Sequence, residues 1–434
     1  MSGPPRHRLR SVRALVIDTE PLRRDPDFRR LWMGQSISVI GNQITRVALP
    51  YQVYVLTQST LALAALTLFQ LVPLLLFSLG GGAIADAFDR RKVLLVTQLG
   101  LAGTSLGLAV LSLQAEPALP VLFAIAFVAS GLAAIDWPAR SSATPRLVPP
   151  ERLRAAIALG QLTFNAGSVL GPIAAGLLIG SIGVAGAYAA DVVTFAASLL
   201  MLLRIRPIPP LGGSGKAGLE AIREGIRFVR QRRVILSTFA IDLNAMVFGM
   251  PTALFPVLAI DVFHTGPVGL GLLTAAPAAG AFAAIVFSGG IGRIRRIGRG
   301  IVLAVAAWGA AIVGFGLSTF FFPLALAFLA IAGAADVISA VFRSSVVQME
   351  APDELRGRVA AIHILVVTSG PRIGDIEAAL VASAVGAQLS VISGGLLCLL
   401  GVVGVVRAFP ELDAHIATDT PRAPAPEATS GGTG

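Results

Sequence analysis

Apolar runs of about 20 residues recur along the whole 434-residue chain, and each is long enough to cross a ~30 Å hydrocarbon core as a helix. In that medium every backbone N–H and C=O must find a partner within the protein, which leaves helices and closed barrels. The runs are continuous, with no two-residue alternation, so helices are expected. They lie near 32–56, 61–85, 93–113, 121–139, 156–179, 186–203, 235–260, 268–290, 300–318, 322–342, 359–384 and 388–406, which predicts twelve spans. Composition agrees, at 55% apolar and 13% charged residues.

Charge then orients the spans. With the N-terminus in the cytoplasm, the 34 Lys and Arg divide into 32 in cytoplasmic segments, two within spans (Arg46 and Arg372) and none in outer loops. That is the positive-inside pattern. It predicts a multi-pass protein of the bacterial inner membrane with both termini cytoplasmic. It also explains a net charge of +10 through topology and contact with anionic lipid, so nucleic acid is not an expected partner. Eight Arg precede Trp32 without a small-residue cleavage pattern, so the N-terminal segment is expected to stay attached.

Enzyme chemistry finds little support. His7, His264, His363 and His415 are scattered and Cys398 is alone in an apolar run, so neither a metal site nor a Cys/His nucleophile is expected. No P-loop occurs, which argues against ATP drive. The expectation is a protein without cofactor or metal, not an enzyme, driven by an ion gradient or by its cargo's own gradient.

The chain repeats itself at an offset of 203 residues. Arg140-Ser-Ser matches Arg343-Ser-Ser, Pro149-x-Glu151 matches Pro352-x-Glu354, and Gly167-xxx-Gly171 matches Gly370-xxx-Gly374. A duplicated six-helix unit follows. Between the copies, Pro207, Pro209, Pro210 and Gly212-Gly-Ser-Gly215 break the pattern. Beyond them Leu219, Ile222, Ile226 and Val229 at helical spacing, with Arg between, predict an amphipathic helix on the inner membrane face. The predicted organisation is a cytoplasmic tail (1–30), a six-helix bundle (31–203), a linker (204–233), a second bundle (234–407) and a disordered tail (408–434). Pseudo-symmetric halves around a mid-membrane site suit alternating access, and function as a monomer is expected.

The segment from Gly80 to Lys92 packs glycines, Asp86, Asp89 and three cations between two apolar runs, which makes it a hairpin at the cytoplasmic face. Gly82-xxx-Asp86-xxx-Arg90-Arg91 resembles the loop-2/3 signature of the major facilitator superfamily, with Asp89 where many members have glycine. In the fifth span, Gly167-xxx-Gly171-Pro172-xx-Ala175-Gly176 offers a flat packing face beside a bend. It resembles the span-five signature of the superfamily's exporters, with Ala175 replacing a glycine. From Phe28-Arg-Arg-Leu-Trp32 to Glu354-Leu-Arg-Gly-Arg358 the chain is similar to the branch that exports siderophores and drugs. The resemblance implies an all-α integral membrane protein of twelve helices in two pseudo-symmetric six-helix bundles. It also implies that Asp86 holds the outward-facing state against the opposing half.

Charges within spans are expensive unless paired or hydrated, so they are the candidates for cargo or coupling: Arg46, Asp191, Asp242, Asp336, Arg372, Asp375 and Glu377. Arg46 and Asp191 lie at compatible depth, where a structural pair and a role in transport are both open. Arg372 and Asp375 are three residues apart and can pair along one helix, whereas Glu377 faces elsewhere. Asp136 and Arg140 suit an i,i+4 pair, and Asp336 and Arg343 share a face of span ten. Because the superfamily's cavities are lined by spans one, four, seven and ten, the resemblance places Asp242 and Asp336 toward cargo or protons. The expected function is proton-coupled export of a small amphipathic molecule. The alternatives are uptake by the same fold, or a membrane receptor or scaffold that transports nothing.

Overall fold

The structure, a computed structural model, describes residues 18–210, 219–287 and 296–413. Among these residues ten helices are long and apolar enough to cross a membrane, and they account for eleven of twelve spans. Pro150–Leu203 supplies two of them, spans five and six, because it breaks at Gly183, where φ is 77° and a Cβ would be strained. Span one, Pro26–Thr57, is the one studded with polar residues. The others are Thr60–Ala87, Arg90–Leu111 and Leu119–Leu147 (two to four), then Arg233–Phe248 with its continuation to Val262 (seven). Spans eight to twelve are Gly266–Val286, Ile297–Leu317, Phe322–Glu350, Asp353–Val385 and Ala387–Ala408.

Spans four and ten run eight residues past their predicted ends, to Leu147 and Glu350. Arg140 and Arg343, expected just outside the membrane, therefore sit on helices and are buried (8% and 2% exposed). Each is accommodated by a carboxylate: Asp136 at 3.1 Å from Arg140 and Asp242 at 2.8 Å from Arg343. Large apolar side chains such as Leu76, Val96, Leu99 and Leu400 lie more than half exposed on the outer surface, as lipid-facing positions do.

The sequence repeat is a repeat of packing. A Cβ on Gly171 would meet Gln43 of span one at 2.4 Å, and one on Gly374 would meet the Met246 carbonyl of span seven at 2.4 Å; both pairs are related by the same offset. Likewise Gly131 of span four packs on Pro73 and Phe77 of span two, as Gly333 of span ten packs on Pro277 of span eight.

Span one begins and span twelve ends on one face, here called the terminal face. Toward it, the polar contacts among the described residues stay within a half. In the first half Arg152 pairs with Asp25 at 2.7 Å, and Arg91 donates to the carbonyls of Leu202 and Leu203 at 3.3 and 2.6 Å. In the second, Arg233 meets the Ala408 carbonyl at 3.0 Å and Glu411 at 3.3 Å, while Arg358 of span eleven pairs with Glu224 of the linker helix Leu219–Gln231. The halves meet toward the opposite, far face. There span five packs on span eight, with the glycines Gly176 and Gly271 against backbone, and Tyr54 donates to Asp261. Span two meets span eleven through a hydrogen bond from Arg372 to Gln70.

Candidate functional site

Span seven, predicted as one helix, breaks in mid-membrane. Gly249-Met250-Pro251 ends the helix at Phe248, since Pro251 lacks an N–H and disfavours helical geometry at the residue before it. A 3₁₀ turn (Thr252–Leu254), a short turn (Phe255–Val257) and a π turn (Leu258–Val262) complete the span. The backbone groups released by the break are met by other spans. Trp308 donates its indole N–H to the Gly249 carbonyl at 2.8 Å, and Asp375 accepts from the Ala253 N–H at 2.7 Å and the Thr252 hydroxyl at 2.6 Å. Irregular backbone at this depth survives only where protein or a cavity surrounds it.

Asp375 thus turns toward span seven, and Arg372 reaches the other way, across the halves to Gln70. Arg46 of span one belongs to the same group, within electrostatic reach of Arg372 and Asp375, and its guanidinium donates to Gln43 at 3.1 Å. Arg46 is exposed and lies within electrostatic reach of span eleven, which puts it on the side of span one that looks across to the second half. This ceiling carries two guanidiniums and one carboxylate, and that carboxylate is committed to the span-seven break.

The second group lies in the C-terminal half. Arg343, 2% exposed, has Asp242 of span seven at 2.8 Å, Asp336 of its own helix at 3.7 Å, and Ser339 Oγ accepting at 2.8 Å. Asp242 is fully buried and its Oδ2 has no hydrogen-bond partner among the described residues. Asp336 is 30% accessible at its side chain and is the charged member of a narrow cleft, with free space of about 20 Å³, walled by the span-seven break, Pro277, Trp308 and Leu329. His363 of span eleven completes the group, its Nδ1 buried without a hydrogen bond and its ring 5.7 Å from that of Phe239. The repeat supplies the contrast. In the N-terminal half Arg140 pairs with Asp136 one turn back, and the equivalent of Asp136 is Ser339. The second half keeps the arginine, moves its carboxylate to span seven and adds Asp336, so two carboxylates share one cation.

The remaining candidates stand apart. Asp191, 1% exposed, takes hydrogen bonds from Thr45 (2.5 Å), Ser105 (2.7 Å) and Thr194 (3.2 Å), and Arg46 is not among its partners. Three hydroxyls satisfy it where a salt bridge was one expectation. Glu377 is half-buried, with no hydrogen bond or ion pair to the described residues. At the terminal face Asp89 caps span three through the Arg91 N–H (2.9 Å) and accepts from the Ile208 N–H (3.1 Å), while the buried Arg90 donates to Ser142 and the Pro209 carbonyl. This hairpin is docked on the segment that leaves span six. The surroundings of Gly82 and Asp86, and with them the expected contact to the opposing half, lie outside the described residues. Of the span-five motif, Gly167 and Gly171 admit span one, whereas Pro172 and Gly176 meet span eight.

Sequence reasoning did not find Gln70, Thr252 or His363. The first two are neutral and ordinary in a span, and Gly249-Met-Pro251 was the signal that could have drawn attention to Thr252.

The comparisons with known proteins agree with this architecture. The family profile described as transmembrane secretion effector matches residues 18–430. The enterobactin exporter of Citrobacter koseri is 29% identical over 408 residues, covering 91% of this chain and 96% of its own. That of Shigella boydii is 28% identical, over 83% and 86% respectively. Among solved structures, a peptide transporter in complex with alafosfalin superposes with a TM-score of 0.72 over 94% of this chain and 99% of that one, at 12% identity, a likeness of fold. Twelve spans in two repeated halves, matched by the profile over nearly their whole length, make this chain a multi-pass membrane transporter of the transmembrane secretion effector family in the major facilitator superfamily.

Proposed function

We propose that this transporter exports a small amphipathic molecule, a siderophore-like metabolite or a drug, in exchange for protons. The observation that carries the proton part is the Asp242–Arg343–Asp336 group. One guanidinium neutralises one carboxylate, and the second, in a low-dielectric interior, favours binding a proton or a cation. Asp336 is the better placed to exchange it, since it opens on the cleft while Asp242 is sealed. Export is supported by the enterobactin exporters among the relatives. The arginines gathered at the terminal face favour a cytoplasmic placement of that face in a bacterial inner membrane. Alternating access is supported by two similar halves joined toward one side, so that rocking them about the mid-membrane groups opens either face in turn. In that cycle a state sealed toward the far face, as here, would be the one open to the cytoplasm.

Comparing the medium of a deletion strain with that of its parent identifies the cargo as the compounds depleted in the mutant. Added to acidified everted vesicles, these compounds should discharge the pH gradient with the wild-type protein and not with Asp336→Asn. Depletion without any proton flux would remove the coupling from the proposal. Enrichment of a compound in the mutant medium would mean uptake, and unchanged medium under every condition would favour the receptor or scaffold.

A further inference from the structure

We infer that the ceiling formed by Arg46 and Arg372 is a binding subsite for an anionic oxygen group, so that the cargo is an amphipathic organic anion. The inference rests on the space between the halves being the cargo's path. Its warrant is charge. Two guanidiniums lie within electrostatic reach of each other at mid-membrane, and their shared carboxylate, Asp375, already accepts two hydrogen bonds from span seven. One positive charge is therefore uncompensated where the surroundings are poor in water, an arrangement that persists only with solvent or a counter-charge beside it. Arg46 is the open member: it is exposed, and its one hydrogen bond among the described residues is to the neutral Gln43, three residues back on its own helix. A planar guanidinium presents several donors to a carboxylate or an ionised phenol, which gives direction as well as charge.

The arrangement also sets where an anion acts. Arg46 belongs to the first half and Arg372 to the second, and Arg372 is held by Gln70 of the first half. An anion between the two arginines would screen their repulsion and draw the halves together on the far side. A neutral cargo would do neither. Apolar side chains of the span-seven break, with Pro277, Trp308 and Leu329, lie beside the Thr252 turn that Asp375 holds, so a ligand with an anionic end at the ceiling would set its body against a hydrophobic surface.

The test is equilibrium binding of labelled 1-naphthoate to the full chain in lipid nanodiscs, with empty nanodiscs as background. Its neutral isostere 1-naphthamide and its cationic isostere 1-naphthylmethylammonium serve as competitors. The expected result is saturable naphthoate binding with the amide at least about 10-fold weaker, the ratio that one charge-assisted hydrogen bond supplies. Arg46→Gln and Arg372→Gln should each weaken naphthoate by about 10-fold while leaving the amide unchanged, and Arg46→Lys should keep the preference. Equal competition by all three isosteres in the wild-type protein would overturn the inference without any variant having to fold. So would an anion preference that survives both Gln substitutions, or the absence of saturable naphthoate binding. Equilibrium binding needs neither a proton gradient nor export, so a negative result here leaves the transport proposal standing, and loss of proton coupling in vesicles leaves this one standing.

Discussion

Removing the carboxylates around Arg343 one at a time and then together separates a coupling group from a structural ion pair. At an effective dielectric of about 20, the 2.8 Å contact with Asp242 corresponds to roughly 6 kcal/mol of attraction and the 3.7 Å contact with Asp336 to roughly 4.5 kcal/mol. In Asp242→Asn the ionised Asp336 takes over as counter-ion, so the loss is limited to the difference, about 1–2 kcal/mol. In Asp336→Asn the shorter pair remains and the change is about 1 kcal/mol or less, because the variant is also relieved of a like charge beside Asp242. The double variant strands a guanidinium that is 2% exposed with only the Ser339 hydroxyl, and a buried charge left alone costs about 3–5 kcal/mol. The expected result is therefore an effect larger than the sum of the singles by about 1–3 kcal/mol, read as thermal midpoints of purified protein in detergent. Both single variants should fold and yet lose proton-linked transport, because each leaves one carboxylate for one arginine and none to spare. Midpoints that simply add, or an Asp336→Asn protein that still exchanges protons for cargo, would refute the reasoning.

Two further outcomes follow from the packing. Asp375→Ala leaves the Ala253 N–H and the Thr252 hydroxyl without their acceptor, a loss of about 1–3 kcal/mol, whereas Asp375→Asn keeps one acceptor and should lie between; a wild-type thermal midpoint for the Ala variant would show that the break in span seven is held by other means. Gly271→Val places a side chain where a Cβ already falls 2.4 Å from the Pro172 carbonyl, so the far-face seal should open. Cys398 is fully buried and gives a silent background, so a cysteine at Asp261 should react several-fold faster with a membrane-impermeant maleimide in that variant, and unchanged labelling would place the seal elsewhere.

The fold was legible because hydrocarbon leaves a chain few choices. Twenty-residue apolar runs, arginines between alternate runs and a 203-residue repeat are each consequences of a single medium, and the twelve spans and paired halves follow from them. Span ends were less legible, because a run ends in sequence at its first charge whereas a helix continues when that charge is paired; Arg140 and Arg343 are the instances. Partners were the least legible. Asp336 and Arg343 meet along their own helix as their spacing predicts, but Asp242 joins them from span seven, and nothing in a one-dimensional pattern places spans seven and ten side by side. Arg372 and Asp375 show the converse: three residues apart, they turn to Gln70 and to the Thr252 backbone turn, since the span-seven break and span two offer each a better partner than the other does. A carboxylate such as Asp191 finds three hydroxyls on three helices, and hydroxyls leave no mark on a charge count.

The two charged groups have opposite sign, and that bears on how the proposed exchange would arise. An anion at the ceiling and a proton on Asp336 attract one another through space, so their direct interaction favours binding together, the sign required for cotransport. Exchange needs the reverse: each must weaken the other, and by thermodynamic reciprocity equally in both directions. That coupling has to come from a change of conformation that suits one ligand at the expense of the other. Residues 249–254 touch both groups, since Asp375 holds Thr252 and Ala253 from the ceiling side and Gly249 to Thr252 form the wall of the cleft that Asp336 faces. A helix would transmit displacement along its axis as a rigid rod, but a segment of 3₁₀ and π turns can shorten or rewind locally, and two of its backbone groups, the Gly249 carbonyl and the Ala253 N–H, are held by side chains of other spans. Closing the halves around an anion pulls Arg372 and its neighbour Asp375, and Asp375 can move only by carrying the break with it. Under the proposed exchange, the carboxylate–arginine distance of 3.7 Å at Asp336, longer than the 2.8 Å at Asp242, would be the adjustable contact: shortened, Asp336 would hold Arg343 and shed a proton, and lengthened, keep it.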